Sequence, residues 1–168
     1  TGISYERQWM LRTQGANKLP EQACDGDVIR MQPIGTVERS SRETVRASDI
    51  DGLRAESVRL VVRAEYAEAL LGLVPGSDIL VLTYLARASR DTLQVHPRGD
   101  LSRPLRGVFA TRSPSRPNPI GMTSARILAI HGTALTVIGL DAWDGTPVLD
   151  IKSWSEAFDT PYSSVPES

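Results

Sequence analysis

"RILAIHGTALTVIGL", residues 126–140, is the stretch on which the fold turns. Apolar and β-branched residues run up to His131-Gly132 and away from it again, and a glycine there suits a tight reversal, so the stretch reads as a β-hairpin. Upstream, "ESVRLVVR" (56–63) alternates, with Val58, Leu60 and Val62 on one face and Arg59, Val61 and Arg63 on the other. That period of two is a half-buried strand. "EYAEALLGL" (65–73) switches to helical spacing through Tyr66, Ala69, Leu70 and Leu73 and is stopped by Pro75-Gly76. "DILVLTYLA" (78–86) is an apolar run of strand length, and "PVLDI" (147–151) is a strand entered from an Asp144-Gly145 turn. Short strands with little helix predict a mainly β protein, a small curved sheet or β-barrel with one or two short helices and no Rossmann domain. Residues 1–27 have weak periodicity and read as an N-terminal extension or arm. The folded domain is expected over 28–156, with 157–168 a C-terminal tail.

Composition bounds what such a domain does. The chain has 168 residues, 40% hydrophobic and 23% charged, enough for one core. It has no apolar run long enough to span a bilayer, and Thr1-Gly2-Ile3 opens neither a basic nor an apolar leader. Neither membrane insertion nor export is expected. The single cysteine, Cys24, forms no internal disulfide, which suits the reducing cytoplasm. With only His96 and His131 as further soft ligands, no metal site is expected. His96 precedes a proline and reads as structural or exposed rather than as a general base.

Charge is unevenly spread beneath a net of -1. Arg90, Arg98, Arg103, Arg106, Arg112, Arg116 and Arg126 are interrupted only by Asp91 and Asp100, whereas 131–150 carries Asp141, Asp144 and Asp150 and no basic residue. Apart from Lys18 and Lys152 every cation is arginine, whose planar fork suits carboxylates and phosphates. Base composition of a genome also favours arginine, but the clustering points to an anion-binding face.

Several chemistries lack their signals: there is no G-x-G-x-x-G after a strand, no G-x-x-x-x-G-K-[ST] and no G-x-S-x-G. What stands out is "GVFATRSPSRPNPIG" (107–121). Pro114, Pro117 and Pro119 fix their own φ and push Ser113, Arg116 and Asn118 towards extended conformations, so Arg112, Arg116 and Asn118 ride on a stiff scaffold. A ligand that docks there pays little to order the segment. Asn-Pro is also an ordinary turn initiator, so the dipeptide alone decides nothing.

The long block "LQVHPRGDLSRPLRGVFATRSPSRPNPIGMTSARIL" followed by "GLDAWDGTPVLDIK" resembles the TrmO (TsaA-like, YaeB) family of S-adenosylmethionine-dependent tRNA methyltransferases, from "PIGTVERS" (33–40) to about Trp154. The resemblance implies a TsaA-like β-barrel enzyme, typically a cytoplasmic homodimer with cofactor sites near the subunit interface. It also implies methyl transfer from S-adenosylmethionine to N6 of threonylcarbamoyladenosine beside the anticodon of tRNA. Carried over by motif, Arg112, Met122, Leu140 and Asp141 belong to the cofactor site. Arg112 suits the cofactor's carboxylate, and Asp141 its hydroxyl or ammonium groups. Plainer roles stand beside these: Arg112 pairs with Asp141, Met122 fills the core, and Asp141 caps the turn before Asp144-Gly145. Asn118 is expected to hold the acceptor N–H, and Asp144 or Asp150 to take its proton. Arg98, Arg103, Arg106 and Arg116 are assigned to phosphates of an anticodon loop.

The sequence departs from the family's pattern at two places. The strand written "FSHIWVLYWFH" in the family reads "GSDILVLTYLAR" here, so Asp78 and Ala86 replace histidines while Arg87 remains at its cofactor-side end. A Pro-Arg-Gln-like element is replaced by "ASDIDG" (47–52). These changes leave two alternatives: a methyltransferase of the same fold with another acceptor, or a non-catalytic S-adenosylmethionine- or RNA-binding paralogue.

Overall fold

The structure is a computed structural model that describes residues 28–40 and 50–161. The expected arm, residues 47–49 of the altered element and 162–168 of the expected tail lie outside the described residues. Residues 28–31 belong to a separate compact unit, and the folded unit begins at Gln32.

Among the described residues, eight strands and two short helices make up this unit. In chain order they are β1 (Gly35–Glu38), α1 (Ile50–Ala55), β2 (Ser57–Val62), β3 (Asp78–Tyr84), β4 (Gln94–Val95), β5 (Arg106–Gly107), β6 (Ile120–His131), β7 (Ala134–Ile138), β8 (Pro147–Ser153) and α2 (Glu156–Asp159). Six strands form a closed barrel in the order β1-β2-β7-β6-β3-β8, every pair antiparallel. The closing seam is short, with Gly35 opposite Val148 and Thr36 opposite Pro147. Gly35 is required beside it, since a Cβ would lie 2.3 Å from the Val61 carbonyl oxygen, which is backbone and cannot swing away.

The interior is filled by side chains, as a barrel of this size demands. Val37, Val58, Leu60, Val62, Ile79, Val81, Ala125, Ile127, Leu135, Val137, Leu140, Ala142 and Val148 form one buried cluster. The alternation expected of 56–63 holds: Val58, Leu60 and Val62 point inward. The segment with helical spacing does turn, but as a 3-10 helix over Ala64–Leu70, from which Tyr66 and Leu70, with Leu73 beyond, pack against the core. Register shifts mark two bulges, one between Ile127 and Ala129 and one beside Leu82 and Thr83. Bulges of this kind supply the bend that closure needs.

Strand direction sorts the molecule into two mouths. At one mouth β1, β3 and β7 end while β2, β6 and β8 begin. α1, the long connection from Leu85 to Pro119 and the Gly139–Thr146 connection all lie at that mouth. The 3-10 helix, the β6–β7 turn and the Asp78–Arg126 pair lie at the other.

Candidate functional site

The long connection is itself an arm zipped back on itself. Hydrogen bonds climb it in sequence: the Leu85 amide to the Pro119 carbonyl at 2.8 Å, Arg116 to Ser89 at 3.0 Å, and Val108 to Leu93 at 3.0 Å. Above these, β4 pairs with β5, Gln94 opposite Gly107 and Val95 opposite Arg106. Nearer the tip, His96 Nδ1 lies 2.7 Å from the Arg103 carbonyl, which only accepts, so Nδ1 carries the proton. His96 is thereby structural. The tip holds Arg98 in the left-handed region, at φ 61°. There, hydrogen bonds from the Ser102 side chain and amide, reinforced by Arg103, hold the Asp100 carboxyl below its ordinary pKa.

The four arginines assigned to RNA divide on this arm. Arg98 and Arg106 are exposed, the first at the tip and the second on β5. Arg103 is exposed but paired with Asp100 at 3.2 Å. Arg116 is half-buried and turns inward, its guanidinium donating to the carbonyls of Ser113 at 3.4 Å and Val108 at 3.3 Å, so it braces the proline-rich wall.

Where the arm returns to the barrel, the residues assigned to the cofactor gather. Arg112 Nη1 donates to the Met122 carbonyl at 3.1 Å. On the next residue of β6, the Thr123 hydroxyl donates to Asp141 Oδ1 at 2.5 Å. Arg112 and Asp141 thus engage consecutive residues of one strand and not each other. Met122 is 46% exposed and is no core filler. Arg87, just past β3, places its guanidinium 5.5 Å from the centre of the Trp143 ring, in the same connection as Asp141. Leu140 has its side chain in the core and its carbonyl taken by Arg39. Asn118 is exposed two residues before β6.

The carboxylates expected to take a proton each have a partner of their own. Asp144 Oδ1 accepts from the Arg39 amide at 2.8 Å, and Asp150 pairs with Lys152 at 2.9 Å. Asp150 shares a row with Leu82 and Met122, two strands from the latter, a separation of about 10 Å. Asp78 sits at the opposite end of β3 from Arg87, about 20 Å away by strand rise, so its replacement of a histidine lies at the far mouth. Sequence reading missed Arg39, Thr123 and Trp143. Thr123 and Trp143 lie inside the quoted motifs, beside residues that were chosen. Arg39 also lies in a quoted motif, "PIGTVERS" (33–40), but its partners Leu53, Glu56, Leu140 and Ala142 are remote in sequence. Among the described residues, no three His, Cys, Asp or Glu side chains stand together as metal ligands, and no helix is long and apolar enough to cross a membrane.

The chain is thus a closed antiparallel barrel whose proline-braced arm leaves and rejoins it at one mouth, with Arg112 and Asp141 bonded to consecutive residues of β6 where the arm returns. Comparison with known proteins makes the class specific. The family description "tRNA-methyltransferase O N-terminal domain" matches residues 40–160. The chain belongs to the TrmO family.

An S-adenosyl-L-methionine-binding protein of Archaeoglobus fulgidus is 42% identical over 130 residues, covering 77% of this chain and 91% of its own. A probable S-adenosyl-L-methionine-binding protein of Methanocaldococcus jannaschii is 40% identical over 135 residues, 78% of this chain and 96% of its own. The crystal structure of TrmO from Pseudomonas aeruginosa superposes with a TM-score of 0.62 at 28% identity, over 82% of this chain. This chain spans 60% of the length of that protein. A mouse tRNA (adenine(37)-N6)-methyltransferase is 53% identical over 55 residues, 33% of this chain and 13% of its own.

Proposed function

We propose that this barrel binds S-adenosylmethionine at the mouth from which the arm springs and methylates N6 of threonylcarbamoyladenosine beside a tRNA anticodon, in the cytoplasm and as a homodimer. The observation that carries the reading is the convergence of Arg112 and Asp141 on Met122 and Thr123. The cofactor's amino-acid end is a carboxylate beside an ammonium, and one fixed cation near one fixed anion is the donor set that fits it. Arg112 would take the carboxylate, and Asp141 the ammonium or a ribose hydroxyl. Met122 would offer a polarisable flank to the adenine, Leu140 anchors its connection in the core, and Arg87 stands beside Trp143. When bound, the cofactor supplies an electrophilic methyl group on sulfur.

The chain's own part is positioning and proton removal. Acylation delocalises the N6 lone pair, so orientation matters more than a strong base. Asn118, exposed at the end of the braced wall, has an amide oxygen to hold the acceptor N–H. Asp144 keeps one carboxylate oxygen outside its bond to Arg39 and takes the proton that the acceptor sheds. Arg98 and Arg106, with Arg103 and Arg116 in support, meet the phosphates of the loop.

Labelled S-adenosylmethionine and total tRNA from a strain lacking this modification provide the test, with nucleoside analysis of the product. N6-methylated threonylcarbamoyladenosine supports the reading. Label at another base or on another acceptor favours the same-fold alternative, which the alanine at 86 and the coverage of 60% of the TrmO structure already motivate. Cofactor binding without transfer to any acceptor would make the chain a binding paralogue.

A further inference from the structure

We infer that Arg39 is the positioning residue of this site, its guanidinium standing in for a missing strand to hold the connection that presents Asp141 and Trp143. Arg39 follows β1 and is 6% exposed. A buried guanidinium is tolerated only when its donors are satisfied. Here Nε donates to the Ala142 carbonyl at 3.2 Å and Nη2 to the Leu140 carbonyl at 2.9 Å. Nη1 reaches the Leu53 carbonyl at 3.1 Å and the Glu56 carboxylate at 2.8 Å. The Arg39 amide donates to Asp144 at 2.8 Å.

In an extended segment, carbonyls two residues apart point to the same edge, and side chains two apart to the same face. Gripping the carbonyls of Leu140 and Ala142 while burying both side chains, at 1% and 5% exposure, leaves Asp141 and Trp143 facing outward. Asp141 meets Thr123 and Trp143 meets Arg87. The grip is continued by Arg54, whose Nε donates to the Gly139 carbonyl at 3.0 Å while its own carbonyl accepts from the Gly139 amide at 3.0 Å. At the far end, Gly145 donates to Val37 at 2.8 Å. Arg39 therefore ties α1 to the connection that carries half of the cofactor site. An ammonium would reproduce the charge but not the planar fork on two carbonyls, so lysine is the informative replacement.

The inference rests on the reading that Arg112 and Asp141 hold S-adenosylmethionine, and the experiment separates the two. Arg39→Lys is compared with Val58→Ala, a core change on β2 chosen to lower the melting transition as far. Calorimetry with S-adenosylmethionine reads affinity, and Trp143 emission is followed in a Trp9→Phe, Trp154→Phe background. Loss of the charge-assisted bonds weakens cofactor binding about ten- to a hundredfold in Arg39→Lys, with red-shifted Trp143 emission, while Val58→Ala stays near wild type. Equal affinity loss in both variants, or none in Arg39→Lys, overturns the assignment. A wild-type chain that binds no cofactor overturns the functional reading instead. The emission then decides for Arg39 alone, an unshifted spectrum counting against it. Should Arg39→Lys not fold, Glu56→Gln loosens the same fork from its exposed side. Weaker cofactor binding with an unmoved melting transition supports the assignment, and unchanged affinity overturns it.

Discussion

Asp78 opens β3 and meets Arg126 directly across the ladder, Oδ1 accepting from Nε at 2.8 Å and Oδ2 from Nη2 at 2.7 Å. The fork is bidentate, the geometry in which an exposed ion pair counts for most. The hydrogen bond and charge of Arg126 hold the Asp78 carboxyl below its ordinary 3.8, against an opposing effect of desolvation. A folded-state pKa below the unfolded one gives stability that is present above the unfolded value and lost as pH falls through the folded one. Asp78→Asn is expected to lower the melting temperature slightly at pH 7, and the gap from wild type is expected to close as the pH is taken below 3.8. Melting curves at both ends of that range provide the check. A gap that persists in strong acid would mean that shape, not charge, holds this corner. In either case cofactor affinity should be unmoved, because the pair lies at the mouth opposite the candidate site.

Elements were legible where local pattern and packing agree. The strand read at 56–63 is observed at Ser57–Val62, and the one read at 78–86 ends at Tyr84, where the arm departs. The hairpin is present with its turn at Gly132-Thr133, one residue later than read, and β6 begins already at Ile120 inside the proline-rich motif. The segment at 65–73 does wind, but as a 3-10 helix over Ala64–Leu70, a form used in short pieces. β1 and α1 were not legible. β1 is only four residues, too short for its alternation to stand out, and a six-residue helix containing Gly52 is held by Arg39 and Arg54, whose partners are remote in sequence. The stiffness of 107–121 was legible, and it belongs to the return limb of the arm. Pro119 is buried against the barrel, so Pro114 and Pro117 are the positions that test stiffness alone. Replacing both by alanine is expected to cost about 0.4–1 kcal/mol each, through a freer unfolded chain. If the wall preorganises docking, KM for the tRNA rises while kcat at saturation is kept. An unchanged KM in the folded double variant would leave the prolines a purely structural role.

Over the whole molecule, 19 cationic and 20 anionic side chains nearly cancel, so attraction to a polyanion depends on where the arginines stand rather than on how many there are. The arm separates them by commitment. Arg116 spends its donors on the Val108 and Ser113 carbonyls and Arg103 leans on Asp100, whereas Arg98 and Arg106 face solvent. Counterion release makes each phosphate contact visible as a slope of log affinity against log salt, about 0.7 per contact for a single-stranded segment such as an anticodon loop. Arg98→Ala and Arg106→Ala are each expected to flatten the tRNA slope by about that amount while leaving the melting transition in place. Arg116→Ala is expected to do the reverse, lowering the melting transition and changing the slope little. Titrations of labelled tRNA at three salt concentrations, beside thermal melts of the same variants, separate the two kinds of arginine. A slope unaffected by the first two replacements would take the tip of the arm out of the RNA interface. The basic run would then be mainly the internal bracing that Arg116 already provides.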